Sequence, residues 1–195
     1  MNYDLIRSLR AKPFFTIQQL SRLMRIKPAS ARVLCVRYVK KGMFVRLKNN
    51  LYVLDQNWLS LAQADFFRLA NVLQVPSYVS FMSALAFYGI TTQVPRDFYE
   101  CAALKRSAKY EVKGILFNFY KLKPALYFGF VKQNDIFIAE PEKALVDAMY
   151  LYSFGKYKMD LSSLDIGKLS KNKLKRILKK FPQKTMDMVS KLCKI

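Results

Sequence analysis

The sequence predicts an α+β fold: an N-terminal winged helix-turn-helix, then an α+β C-terminal domain with a small, mainly antiparallel sheet, then a basic helical tail. Three observations predict it. Helical periodicity in the first forty residues is punctuated by Pro13, Pro28 and Gly42. Two β-prone runs follow directly, on either side of Asn49 and Asn50. Short β-prone runs between residues 96 and 139 then alternate with turn residues, ahead of a lysine-rich amphipathic stretch. The expected boundaries are 1–56 for the winged helix-turn-helix, 57–75 for a linking helix, 76–155 for the α+β domain and 156–195 for the tail.

Tyr3 to Leu9 places Leu5, Ile6 and Leu9 at helical spacing, and Pro13 ends this first helix. Thr16 is a good N-cap, with Gln19 three residues later in capping-box register and Ile17, Leu20, Leu23 and Met24 as an apolar stripe. Arg25, Ile26 and Lys27 form a short turn. Pro28 suits the first position of the next helix, where its missing N–H would be unpaired in any case. That third helix runs to about Lys41 and is closed by Gly42. Phe44–Leu47 and Leu51–Leu54 then make a hairpin with Lys48, Asn49 and Asn50 at its tip, the wing.

On a helical wheel Ala31, Leu34, Tyr38 and the stem of Lys41 share the face that packs inward, so Arg32, Val33, Val36 and Lys40 point away, with Ser30 and Arg37 on the flank. Arginine can bond guanine edges in a major groove, and valine methyls can touch thymine methyls. Arg46 and Lys48 on the wing suit phosphates, which position a protein without reading sequence. The expected DNA-binding set is therefore Lys27, Ser30, Arg32, Val33, Arg37, Lys40, Arg46, Lys48, Asn49 and Asn50, and the expected partner is double-stranded DNA.

Composition agrees. The chain has 195 residues with 34 Lys and Arg against 13 acids, a formal net charge of +21. Residues 1–60 carry a net +10, residues 61–155 a net +2 and residues 156–195 a net +9. Charge segregated to two ends points to a polyanionic partner. There is no histidine, which removes the commonest general base and the commonest metal ligand. No phosphate-cradling GxxxxGK[ST] loop and no spaced carboxylate cluster is present either, so the sequence argues against an enzyme and calls for no cofactor and no metal. Cys35, Cys101 and Cys193 are far apart and in no ligand spacing, which fits packing roles in a reducing, cytoplasmic setting. Apolar stretches such as Val79 to Ile90 fall well short of the ~20 residues a bilayer span needs, so no membrane partner is expected.

In the second segment Trp58 to Leu73 reads as the linking helix. Ser80 can cap a helix with Met82, Leu85 and Ala86 inward and Gly89 at its end. Strands are expected over 96–104, 115–121, 128–132 and 136–139. Glu140 and Glu142 bracket Pro141 at a helix start, where acidic side chains interact well with the helix dipole. Lys143 and Asp147 stand at i,i+4 and read as a surface ion pair. Lys105, Arg106 and Ser107 form a basic turn.

Taken in order, YVSFMSALAFYGIT, QVPRDFY, ALKRS and AEPEKALVDAMYL behind a winged helix resemble the AbiEi family of antitoxins from type IV toxin–antitoxin and abortive-infection systems. The resemblance covers about residues 14–152. It implies a repressor that binds inverted repeats at its own promoter through the winged helix, with antitoxin activity in the C-terminal domain. The implied functional partner is a nucleotidyltransferase-like toxin, opposed without need of a stable complex. Other readings of the same residues are a winged-helix regulator with a C-terminal ligand-sensing domain, for which a polar-lined cavity would speak, and a nucleic-acid-targeting enzyme.

The tail sets Leu174, Ile177, Leu178 and Phe181 on one helical face among many lysines. It is expected to pack that face on the body while its cations contact phosphate. Lys105, Arg106, Lys173, Arg176 and Lys180 are the antitoxin or phosphate-contact candidates of the second half.

Overall fold

The computed structural model describes residues 9–10, 12–93 and 95–195, in two compact units, one ending at Leu69 and the other beginning at Ala70. The chain is mixed α/β. Of the helix expected over Tyr3–Leu9, residues 3–8 lie outside the described residues; Leu9 is buried in the first unit's core.

That core is built on α1 (Ile17–Met24), α2 (Pro28–Lys40), β1 (Phe44–Lys48) and β2 (Leu51–Leu54). The capping box forms: the Gln19 N–H donates to Thr16 Oγ1, and the Thr16 N–H donates to Gln19 Oε1. Helix α1 ends where Arg25 turns left-handed at φ 52°, and the Ser21 hydroxyl closes the turn by donating to the Ile26 carbonyl at 2.6 Å. Pro28 then opens α2 at its first position. Gly42, at φ 69°, supplies the left-handed residue that lets the chain leave α2 for β1. Strands β1 and β2 pair antiparallel around a two-residue turn, Asn49 and Asn50, so Lys48 closes a strand rather than sitting in the tip. Phe15 adds backbone hydrogen bonds to Tyr52 on the other edge of β2. Its ring meets those of Phe44 and Tyr52, with Tyr38 edge-on to Phe44 from α2.

The expected linking helix is broken. A single turn, α3 (Asp55–Trp58), follows β2 directly, and α4 (Gln63–Leu73) restarts after residues 59–62. Asp65 accepts from the Ala62 N–H at the head of α4, a local cap that fixes the restart.

The second unit holds a six-stranded sheet in the order β5-β6-β4-β3-β8-β7. Its strands are β3 (Ser77–Val79), β4 (Phe98–Ala103), β5 (Ala108–Val112), β6 (Ile115–Lys121), β7 (Phe130–Gln133) and β8 (Ile136–Ala139). The sheet is mixed rather than mainly antiparallel, because β4 runs parallel to β6 and β3 parallel to β8, alternating with three antiparallel pairings. Four strands were expected from the sequence; β3 and β5 are additional. Helices α5 (Phe81–Phe87), α6 (Pro141–Ser153), α7 (Lys171–Leu178) and α8 (Gln183–Cys193) complete the unit. Helix α6 packs on α5, α7 and α8, so the lysine-rich tail belongs to this unit and buries Leu174, Ile177, Leu178, Phe181, Val189 and Cys193. Among the described residues no helix is long and apolar enough to cross a membrane.

At the centre of α6, Lys143 and Asp147 correct the surface pairing expected of them. Both side chains are fully buried, and they form an ion pair. Asp147 also accepts from the hydroxyls of Tyr78 and Ser80, each at 2.9 Å, and the Lys143 ammonium donates to Tyr78 Oη at 2.9 Å. The rings of Phe128 and Phe181 lie 5.1 and 5.5 Å from the ammonium. Burial pushes the Lys143 ammonium down and the Asp147 carboxyl up, and each charge opposes the shift of the other.

Asp147→Asn removes the counter-charge and leaves a buried cation, so it should cost about 3–5 kcal/mol in urea unfolding. Asp165, paired with Lys168 at a half-exposed site, is the control: Asp165→Asn should cost under about 1 kcal/mol. Equal losses from the two would show that burial of the Lys143–Asp147 pair carries no special weight.

Candidate nucleic-acid interface

Helix α2 buries Ala31 and Cys35 and half-buries Leu34, Tyr38 and Val39. The Lys41 side chain, expected to lie inward along its stem, is exposed instead, because the helix ends at Lys40 and Lys41 has left its register. Every third or fourth residue facing the core leaves the complementary face open. There Arg32, Val33, Val36, Arg37 and Lys40 line one shallow depression. Val33 is 58% exposed and Val36 49%. Ser30 and Lys27 are exposed at the start of the same helix. The face therefore presents three cations and two branched apolar side chains with no carboxylate among them, a combination suited to phosphates, guanine edges and thymine methyls.

The hairpin contributes less uniformly. Arg46 and Asn49 are exposed, and Lys48 is half-buried. Asn50 sits at φ 62°, a region asparagine tolerates, and its Oδ1 accepts from the Ile17 N–H at 3.0 Å. Its side-chain oxygen is thereby committed to the first turn of α1, tying the hairpin tip to the helices. Only the αL preference of Asn50 is visible in sequence; the partner lies 33 residues away.

In the second unit the remaining candidates fall at two separate places. Lys105 and Arg106 are exposed on the β4–β5 turn, which Gln74 braces by donating to the Arg106 carbonyl at 2.5 Å. Lys173 and Arg176 border a depression with Phe128 and Glu140. Lys173 stands 3.9 Å from both Glu140 and Glu142, and Lys180 lies over the Phe128 ring at 4.3 Å. Glu140 and Pro141 do start a helix as expected, and Glu142 further ties the tail down by accepting from the Ser170 N–H at 3.0 Å.

A carboxylate that sequence reasoning passed over lies on β4. Glu100 is 1% exposed, and its register places it on one sheet face with Tyr120 of β6. It accepts from Tyr157 Oη at 2.6 Å, Tyr120 Oη at 3.3 Å and the Met82 N–H at 3.2 Å. Burial pushes its carboxyl up to about 7 against the pull of these donors. It stands at the floor of a cleft of about 560 Å³ that also takes in Gln93, Lys156 and Lys158. A lone Glu in an otherwise apolar strand, ECAA, is the one sequence signal that could have singled it out.

No family model matches the sequence, and no curated protein matches it. Among solved structures, the crystal structure of the Rv2827c protein from Mycobacterium tuberculosis is similar, with a TM-score of 0.63 and 13% sequence identity. The match covers 97% of this chain and 74% of that one, and at this identity it speaks for the fold.

Glu100 also predicts a pH dependence. Its carboxyl is raised from about 4.5 to about 7 on folding, so the stability it contributes is complete below the lower value and lost as pH rises through the upper one. Glu100→Gln cannot titrate. Between about pH 4.5 and about pH 8, the stability of the variant relative to the parent should rise by on the order of 3 kcal/mol in urea unfolding. A difference independent of pH would show that Glu100 titrates as an ordinary carboxylate.

Proposed function

We propose that the first unit is a winged helix-turn-helix that binds double-stranded DNA at the chain's own promoter, with α2 in the major groove and β1–β2 as the wing. The observation that carries this is the outward face of α2, where Arg32, Arg37 and Lys40 surround exposed Val33 and Val36. Two solvent-exposed valines on a surface helix cost hydrophobic free energy unless something covers them. A groove edge rich in thymine methyls covers them, and the arginines supply guanine and phosphate contacts. Arg46 and Asn49 on the hairpin extend the contact to the backbone.

The second half of the proposal rests on the four sequence blocks between Tyr78 and Leu151. By their resemblance to AbiEi antitoxins the chain represses its own operon and opposes a nucleotidyltransferase-like toxin. Three of those blocks fall on coherent pieces of structure: β3 with α5, the β4–β5 turn, and α6 with its buried ion pair. The proposed activity needs no catalysis and no cofactor.

The test is a gel-shift titration on the DNA upstream of the gene against shuffled competitor at fixed salt. The upstream DNA should be preferred by at least about 1,000-fold. Arg32→Ala should weaken the specific complex by about 1–3 kcal/mol. Equal binding to both DNAs would remove the repressor reading. Co-expression with the neighbouring toxin gene tests the rest: growth restored by this chain supports the antitoxin role, and continued arrest removes it.

A further inference from the structure

Cations and aromatic rings come together at the surface of the second unit. A cleft of about 710 Å³ is lined by Tyr120, Lys121, Lys123, Tyr150, Phe154 and Lys156, among others, and no carboxylate lines it among the described residues. The cleft above Glu100 shares Tyr120 and Lys156 with it, and there Lys158 adds a further cation. The two are adjoining stretches of one groove. Lys121, Lys123, Lys156 and Lys158 are all exposed, and among the described residues none of them is ion-paired.

The rings in this groove are open to solvent yet held in place. Phe154 is 46% exposed, edge-on to Tyr150 at 5.4 Å, with the Lys184 ammonium 5.6 Å from its centroid. Tyr120 packs against Phe81 at 4.9 Å and Tyr157 at 5.6 Å, and its hydroxyl donates to Glu100. Glu100 therefore serves as a positioning residue that holds the hydroxyls of Tyr120 and Tyr157. A surface phenylalanine between lysines is costly in water and useful against a flat apolar ligand that carries negative charge.

We propose that this groove binds single-stranded nucleic acid, with phosphates against Lys121, Lys123 and Lys156 and bases stacked on Phe154, Tyr150 and Tyr120. Base faces are available to such rings only when the strand is unpaired, because in a duplex they are stacked on one another. Charge complementarity explains the lysines, and stacking explains why aromatic rings sit between them. The groove and the α2 face share no residue, so the proposal stands or falls independently of duplex recognition.

The full chain is titrated into labelled single-stranded RNA, labelled single-stranded DNA and the upstream duplex, followed by fluorescence anisotropy over a series of salt concentrations. The triple variant Lys121→Gln, Lys123→Gln, Lys156→Gln should lose at least about tenfold in single-strand affinity, and its salt slope should fall by about 2. Phe154→Ala should lose at least about fivefold, the effect of one stacked base. Both should leave duplex affinity within about twofold, while Arg32→Ala with Arg37→Ala should do the reverse. Tighter binding of RNA than DNA would assign a role to the ribose hydroxyl, and equal binding would assign recognition to phosphate and base alone. Single-strand binding that survives the groove variants and falls with the α2 variants would overturn the proposal. Binding through these lysines to phosphatidylserine vesicles, without binding to either strand, would overturn it equally. All the substituted side chains are exposed or half-exposed, and unchanged urea midpoints would confirm that the variants fold.

Discussion

Lys143 and Asp147 are one helical turn apart on α6, and removing both charges from water costs several kcal/mol for each ion before any contact is made. Much of the second unit is arranged around meeting that cost. Strand β3 supplies the Tyr78 hydroxyl and the next residue but one supplies Ser80, so that Asp147 has three donors. Gly129, at φ 71°, brings the backbone so close that a β-carbon there would stand 3.0 Å from Lys143 Cγ. Phe128 and Phe181 close over the ammonium. The lysine-rich tail thus supplies part of the enclosure through Phe181, and removing the tail would open the side of the charge pair that this ring covers. Studies of the tail's charge call for substitutions at exposed lysines rather than truncation.

How much of this was legible from residues alone depends on the range of the interaction. Thr16 with Gln19, Pro28, Gly42 and Asn49 with Asn50 act within a few residues of themselves, and each marks an element of the first unit correctly. The outward face of α2 also follows from its period, since burial of Ala31 and Cys35 dictates exposure of Arg32, Val33 and Val36. Strand β3 was not legible: its three residues become a strand only by pairing with β4 and β8, far along the chain. Strand β5, with Lys109 and Glu111 facing water, alternates apolar and polar residues over only five positions, too short a signal to assign alone, and is a strand because β6 is beside it. The burial of Lys143 and Asp147 is invisible for the same reason. An i,i+4 pair looks alike on any helix, and what buries it comes from residues 65 to 69 positions away and from the tail.

The first unit solves a different problem, that of holding many like charges on a small body. Polar backbone groups at the ends of α1 are satisfied by the capping box and the Ser21 hydroxyl within a few residues and by Asn50 from 33 residues away, none of which carries charge. Among the described residues, the cations of α2 have no carboxylate on the face they share. A surface of that kind has a potential that draws anions from a distance and weakens as salt is added.

The six-stranded sheet ends in β5 on one side and β7 on the other. Both edges are short and studded with charge: Lys109, Glu111 and the neighbouring Lys113 stand exposed along one, Lys132 with its partner Asp135 along the other. Such edges resist the strand-to-strand docking by which sheets of separate molecules fuse. The sheet can therefore carry a buried ion pair and an open aromatic groove in a crowded solution without becoming a seed for aggregation.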